Sequence, residues 1–152
     1  FLKKRNNGVL PITDERMTRF NITIEDGVKM VFHALKNAWG GEMFIPKIRS
    51  YKITDVAEAI GPKCKKVIIG VRPGEKIHEE MITESDSLNT YDLGKYYVIL
   101  PNNQNWNLED YLTKFNGKKV MEGFSYNSGK NDQWETVESL QKLMKKHLDV
   151  KF

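Results

Sequence analysis

The chain of 152 residues is 39% hydrophobic, 11% aromatic and 29% charged. It is too apolar and too mixed in charge for a disordered segment, and long enough to bury roughly two-thirds of its unfolded surface around one core. Its net charge of +4 suits an anionic ligand but is too weak a bias for a nucleic-acid partner, and no apolar run approaches the roughly 18 residues of a membrane span.

No signal-peptide pattern opens the sequence, and the single cysteine, Cys64, rules out an internal disulfide framework. A cytoplasmic location with no membrane partner is therefore expected. The chain starts Phe1-Leu2-Lys3-Lys4 without an initiator methionine and reads as a piece of something longer. Length predicts one domain over 1–152, and the resemblance below makes that domain incomplete.

In chain order, Asn6-Asn7-Gly8 marks a helix end and a turn after the first basic run. Thr23, with Asp26 three residues on, predicts the cap of a helix whose apolar face is Ile24, Val28, Val31, Phe32, Leu35 and Ala38. Gly40-Gly41 stop it. Met43-Phe44-Ile45, closed by Pro46, predicts a strand, and Thr54 predicts the cap of a short helix that ends at Gly61-Pro62.

Val67-Ile68-Ile69-Gly70-Val71 reads as a buried strand running into the rigid turn Arg72-Pro73-Gly74-Glu75. A further strand is predicted at Tyr96–Leu100, a loop over 102–107 and a helix from Leu108 to Phe115. Thr136 caps a last helix with Val137, Leu140, Leu143, Met144 and Leu148 on its apolar face. Alternating helices and strands favour an α/β class.

The common catalytic motifs are missing. No glycine-rich phosphate loop occurs, and His78-Glu79 lacks the second zinc-protease histidine because position 82 is Ile. His33 falls on the polar side of its helix and reads as a solvated surface residue. Cys64, between lysines, has no histidine nearby in sequence to make it a nucleophile. Tyr91 and Lys95 fit Tyr-x-x-x-Lys, but Gly94 and the strand starting at Tyr96 deny that pair the helical turn its chemistry needs. Tyr91 is therefore read as structural, and neither catalytic nor metal-binding residues are assigned.

Ligand-binding candidates are clearer. Arg19 stands just before a helix N-terminus and Arg72 at the end of a strand, where ligands gather in open α/β sheets. A guanidinium grips phosphate oxygens with a planar fork, and two converging forks would suit a diphosphate. The alternative is that Arg72 pairs with Glu75 or Glu79 and stiffens its turn. Tyr126–Trp134 combines amides, hydroxyls and aromatics that suit a sugar or uracil edge, or simply anchors the last helix.

These residues carry a resemblance. Pro11-Ile12-Thr13-Asp14 with Met17-Thr18-Arg19-Phe20, Gly41–Ile48, Lys52-Ile53-Thr54-Asp55, Gly70–Ile82, Tyr126-Asn127-Ser128 and Asn131-Asp132-Gln133-Trp134 resemble, in order, the inverting UDP-N-acetylglucosamine 4,6-dehydratases. The resemblance implies an α/β fold: the C-terminal substrate-binding part of an extended short-chain dehydrogenase of Rossmann type, without its N-terminal nucleotide-binding half. In that family, hydride leaves sugar C4, water is eliminated across C5–C6, and hydride returns to C6 with inversion at C5. The 4-keto-6-deoxy product feeds bacterial surface-glycan or pseudaminic acid synthesis.

By the same resemblance, Arg19 and Arg72 contact the nucleotide sugar, and Asn131, Asp132, Gln133 and Trp134 line its site. The implied partners are UDP-N-acetylglucosamine or a related UDP-sugar, the nucleotide-binding half, and further copies in a homo-oligomer. NADP is the implied cofactor of the full-length enzyme, with none bound by this chain alone. Parted from that half, the chain is expected to be inactive, to leave the strand around Phe44-Ile45 unpaired at its edge, and to expose an apolar patch. The competing readings are a UDP-sugar epimerase or reductase of the same superfamily, a stand-alone nucleotide-sugar binding module, and a purely structural role.

Overall fold

Residues 1–148 are described by a computed structural model, in which the chain divides into two units. Residues 1–21, 49–79 and 128 onward form the first, and residues 22–48 and 80–127 the second. The elements are α1 (Leu2–Arg5), β1 (Val9–Ile12), β2 (Thr18–Phe20), α2 (Ile24–Asn37), β3 (Met43–Pro46), β4 (Ser50–Lys52), α3 (Ile53–Ile60) and β5 (Lys65–Ile68). Then come β6 (Glu80–Ile82), a 3-10 turn (Ser85–Asn89), β7 (Thr90–Asp92), β8 (Tyr96–Ile99), α4 (Leu108–Phe115), β9 (Lys118–Lys119), β10 (Tyr126–Asn127) and α5 (Val137–His147).

In the first unit, β1 and β5 run parallel while β2 and β4 pair antiparallel, with Arg19 opposite Tyr51. Leu10 and Ile12 of β1 pack with Ala57 of α3 and with Cys64, whose thiol donates to the Arg5 carbonyl. Helix α3 also packs on α5, where Gln141 Nε2 donates to the Ala59 carbonyl at 3.2 Å. A capping box starts α5: the Ser139 amide donates to Thr136 Oγ1, and the Thr136 amide donates to Ser139 Oγ.

Two expectations need correcting here. Helix α3 begins at Ile53, with Lys52 and not Thr54 at the cap position, because the Ile53 amide donates to the Met17 carbonyl at 3.0 Å and starts the helix early. The strand read at 67–71 lies at 65–68, and Val67, Ile68, Ile69 and Val71 are exposed. It pairs with β1 alone, and no layer among the described residues covers it. Within the Met17-Thr18-Arg19-Phe20 block, Thr18–Phe20 form β2, and the block stands ahead of α2 as expected.

In the second unit, β3, β8, β7 and β9 form an antiparallel sheet in that order. Its core is Phe44, Tyr91, Val98, Leu100 and Tyr111, with Trp39 and Trp106 against the Tyr111 ring. Tyr91 is a core residue of β7, as the strand-like run after it predicts. Strand β3 pairs on one side only, and its outer edge has no partner strand among the described residues, as expected. It sits at the sheet edge with Phe44 opposite Val98 of β8.

Helix α2 starts where expected, with the Asp26 amide donating to Thr23 Oγ1 at 3.1 Å. Its packing is the reverse of expectation. The side facing the sheet carries His33, stacked on Tyr96 at 4.2 Å and edge-on to Phe44 at 5.2 Å. Asn37 Nδ2 reaches both the His33 carbonyl and Nδ1. His33 is thus half-buried, with Nε2 lacking a partner among the described residues, and not a solvated surface residue. Aromatic stacking holds it there.

Burial, reinforced by the Lys95 charge, lowers the His33 pKa below its usual value. As pH falls, the unfolded chain therefore takes up this proton first, and stability declines below about pH 6.5, while above it both states are neutral and the contribution is flat. Denaturant titrations at about pH 7.5 and about pH 5.5 should show a smaller acid loss in His33→Phe than in the parent. Equal losses would dismiss this role. Thr136→Ala should lower stability by about 1 kcal/mol through the lost cap, read as a shift in denaturation midpoint.

Candidate functional site

The candidate residues lie in the first unit, around a buried hydroxyl cluster. Ser128 Oγ, fully buried, accepts from the Glu79 amide at 2.9 Å and lies 2.7 Å from Thr18 Oγ1, which lies 2.8 Å from His78 Nδ1. Counting hydrogens orders this chain. If Ser128 donates to Thr18 and Thr18 to His78 Nδ1, every hydroxyl hydrogen has an acceptor, and neutral His78 carries its proton on Nε2. Gly129 packs on the imidazole so closely that a Cβ there would stand 2.5 Å from Nδ1. His78 borders a cavity of about 540 Å³ with Thr18, Lys52, Asp55, Gly129 and Trp134.

Ser50 makes a second buried junction. Its amide donates to the Gln133 carbonyl at 2.9 Å, its carbonyl accepts from the Glu135 amide at 2.7 Å, and its Oγ accepts from Asn131 Nδ2 at 2.9 Å. Strand β4 thereby stands between β2, which carries Arg19, and the segment 131–135. Asn131 is a buried structural amide here, while Asp132 and Gln133 are exposed. The Trp134 ring is half-buried on the cavity wall, with the Lys52 ammonium 5.9 Å from its centroid.

The two arginines differ. Arg19 NH1 donates to the Thr18 carbonyl at 2.6 Å and the Ile77 carbonyl at 3.2 Å, and its Nε pairs with Glu79 at 3.2 Å. Beside it, burial raises the Tyr51 pKa; Glu79 adds to that rise and Arg19 opposes it. Arg72 lies in the loop after β5, its side chain 70% exposed and paired at 3.9 Å with Glu75, whose carboxylate also accepts from the Arg72 amide. The turn-stiffening contact is therefore present, and no hydrogen bond or ion pair joins Arg72 to Arg19 or to 131–134. Sequence reasoning considered His78 only as a zinc ligand and missed its link to Ser128. The signal available was the Ser128-Gly129 pair, a buried hydroxyl beside a residue without a side chain.

Among the described residues, no group of three or more His, Cys, Asp or Glu side chains could hold a metal ion, and no helix is long and apolar enough to cross a membrane. No glycine-rich loop ahead of a helix is present to receive a dinucleotide pyrophosphate. Gly129→Ala should push the imidazole off Thr18 and lower stability by about 1–3 kcal/mol, because buried hydroxyls lose a partner. A calorimetric midpoint unchanged from the parent would refute the cluster's structural weight.

Residues 1–101 match the family described as polysaccharide biosynthesis protein. Two proteins of Campylobacter jejuni named UDP-N-acetylglucosamine 4,6-dehydratase (inverting) are 48% and 45% identical over 138 and 141 residues, or 86% and 89% of this chain. The chain spans only 40% and 42% of their lengths and corresponds to their C-terminal half. A Rickettsia canadensis UDP-glucose 4-epimerase is 30% identical over 139 residues, which cover 89% of this chain and 40% of the relative. Among solved structures, that of Pen from Bacillus thuringiensis superposes with a TM-score of 0.76 at 27% identity, over 97% of this chain and 44% of its own. The α/β architecture is thus that of the C-terminal part of longer proteins, as the sequence resemblance implies, and the chain belongs to the polysaccharide biosynthesis protein family.

Proposed function

We propose that this chain is the substrate-side part of an inverting UDP-N-acetylglucosamine 4,6-dehydratase of the short-chain dehydrogenase superfamily. The observation that carries this is the 48% identity to a Campylobacter jejuni protein of that name over 86% of the chain. On this reading the whole protein is a cytoplasmic bacterial lyase and homo-oligomer that uses NADP. It makes a UDP-4-keto-6-deoxy sugar for surface-glycan or pseudaminic acid synthesis. The cofactor would bind in the nucleotide-binding half, since the residues described here do not fit it.

This chain's own contribution is then binding. The Arg72 guanidinium, exposed in the loop after β5, is available to a diphosphate at the expense of a 3.9 Å contact with Glu75. Arg19 reaches phosphate only by giving up Glu79, whose carboxylate is half exposed and so readily solvated. Trp134 offers an aromatic wall to a sugar or uracil, with Asn131, Asp132 and Gln133 beside it in sequence. Lacking acid–base groups placed on a reacting sugar, the chain alone has no turnover on this reading. A 4-keto sugar formed from UDP-N-acetylglucosamine and NADP by the isolated chain would contradict it.

The second reading, a UDP-glucose 4-epimerase, draws on the 30% identical Rickettsia relative. The lower identity over a similar length disfavours it. A stand-alone nucleotide-sugar module needs no other half, and a glycine-rich nucleotide-binding half ahead of Phe1 in the native gene would exclude it.

The test of the first reading is a titration of the isotope-labelled chain with UDP-N-acetylglucosamine, UDP-glucose and UDP, followed by amide shifts. Saturable shifts around Arg72 and Trp134, with preference for the N-acetylated sugar, are expected. Arg72→Ala should weaken binding roughly 10- to 150-fold, since a charge-assisted hydrogen bond contributes about 1.5–3 kcal/mol. A folded chain that shifts with none of the three ligands would overturn the substrate-side assignment.

A further inference from the structure

The first unit holds a second cavity, of about 440 Å³, that shares no lining residue with the one beside His78. It lies where the ends of α1 and α3 and the loop 61–64 meet α5. Its size falls within the roughly 300–1,000 Å³ of small-molecule sites. The floor is apolar, formed by Ala59, Ile60, Pro62 and Cys64, and all of these but Pro62 are buried.

That floor is also preformed. A Cβ on Gly61 would stand 2.7 Å from Cys64 Sγ and 3.1 Å from Leu10 Cδ1, so a glycine is needed for the loop to pack this closely. Cys64 in turn belongs to the core cluster of Leu10, Ile12 and Ala57, and the ring of Pro62 fixes its own φ. A pocket already shaped before its ligand arrives loses little conformational freedom on binding.

Charge selects the ligand. Arg5 and Lys63 stand on the wall and no Asp or Glu does, whereas Asp55 and Glu135 border the cavity beside His78. Cations at a helix C-terminus commonly serve its unpaired carbonyls. Here several of those carbonyls are answered by other groups. The Arg5 carbonyl accepts from the Gly8 amide at 3.0 Å and from the Cys64 thiol. The Ala59 carbonyl accepts from Gln141 Nε2, and the Gly61 carbonyl from the Cys64 amide at 2.9 Å. Glu58, near the end of α3, is paired with Lys66. The exposed Lys63 ammonium has no hydrogen bond or ion pair among the described residues.

We infer that this cavity binds a phosphate monoester with an apolar body about the size of a naphthalene ring system. The Arg5 guanidinium offers a fork and Lys63 a point charge. Together they match the charge of such a phosphate, about −1.5 to −2 at neutral pH. Ile60, Pro62 and Cys64 take the apolar body. The inference does not rest on the dehydratase reading, since it uses none of the residues assigned to the nucleotide sugar.

The test titrates the isotope-labelled 152-residue chain with 1-naphthyl phosphate, 1-naphthol and inorganic phosphate, following amide shifts. Saturable shifts at Gly8, Gly61, Lys63 and Cys64 are expected with 1-naphthyl phosphate, at an affinity about 10-fold or more above that of either other probe. Lys63→Glu, a change at an exposed position, should weaken 1-naphthyl phosphate roughly 10-fold or more. Lys118→Glu, at an exposed lysine of the second unit, should leave its affinity unchanged. The thermal midpoint should rise with 1-naphthyl phosphate in the parent chain and not in Lys63→Glu. Equal affinity for 1-naphthol would mean apolar adhesion alone, and equal affinity for inorganic phosphate a basic rim alone; either overturns the inference. So would a folded chain without saturable shifts, shifts centred on Arg72 and Trp134 instead, or unchanged affinity in Lys63→Glu.

Discussion

The first unit depends on two buried serines. It is assembled from three stretches far apart in sequence, and Ser128 and Ser50 are where those stretches meet. Ser128 ties to Thr18 across 110 positions, Thr18 to His78 across 60, and Ser50 to Asn131 across 81. Apart from the exposed His78 imidazole, each is a hydroxyl or amide buried away from water, so leaving any one unpaired would cost about 1–3 kcal/mol. Fully paired, such a network favours one register of strands over its neighbours. It fixes β2 beside β4 and holds segment 131–135 on the far side of β4. Arg19 and Trp134 owe their positions to it.

This explains which features were legible in the sequence. Helices signalled by local chemistry were found: the Thr23 cap, the Thr136 cap, and the Leu108–Phe115 helix whose Asn107 accepts from the Asp110 amide. Strands rich in apolar residues and stopped by proline, such as Met43–Pro46 and Tyr96–Ile99, were also legible. Strand β2 was not, because three residues carry no period and its pairing is set by Ser50–Lys52, more than thirty positions away. The start of α3 was misjudged for the same reason, since the Met17 carbonyl that begins it is remote in sequence. Family resemblance supplied what pattern could not, and it did so for the fold and the family.

Burial was the harder quantity. Periodicity reveals that one side of a helix is apolar, but it does not say which surface covers that side, or whether this chain supplies it. For α2 the chain supplies the opposite contact, through His33. The same holds for Val67, Ile68 and Ile69, whose β-branched run looks like a sheet interior yet borders only β1. The departures run both ways: the β-branched run at 67–71 was expected to be buried and is exposed, while His33 was expected to be solvated and is half-buried.

The candidate binding residues divide along the same physical line. Arg19 is held by two carbonyls and a carboxylate, a set that orients the guanidinium and neutralises it at once. For Arg19 to bind a diphosphate, the anion must compete with Glu79 for a fork already filled. A doubly charged ligand with several acceptor oxygens can do so because the displaced Glu79 carboxylate, half exposed, is taken up by water. Arg72, 70% exposed and weakly paired, faces the reverse balance: it is available, but solvent screens it. On the proposed function, a cover that removes water would therefore act in opposite senses on the two arginines, raising the worth of a diphosphate contact at Arg72 and, at Arg19, strengthening the competing pair with Glu79.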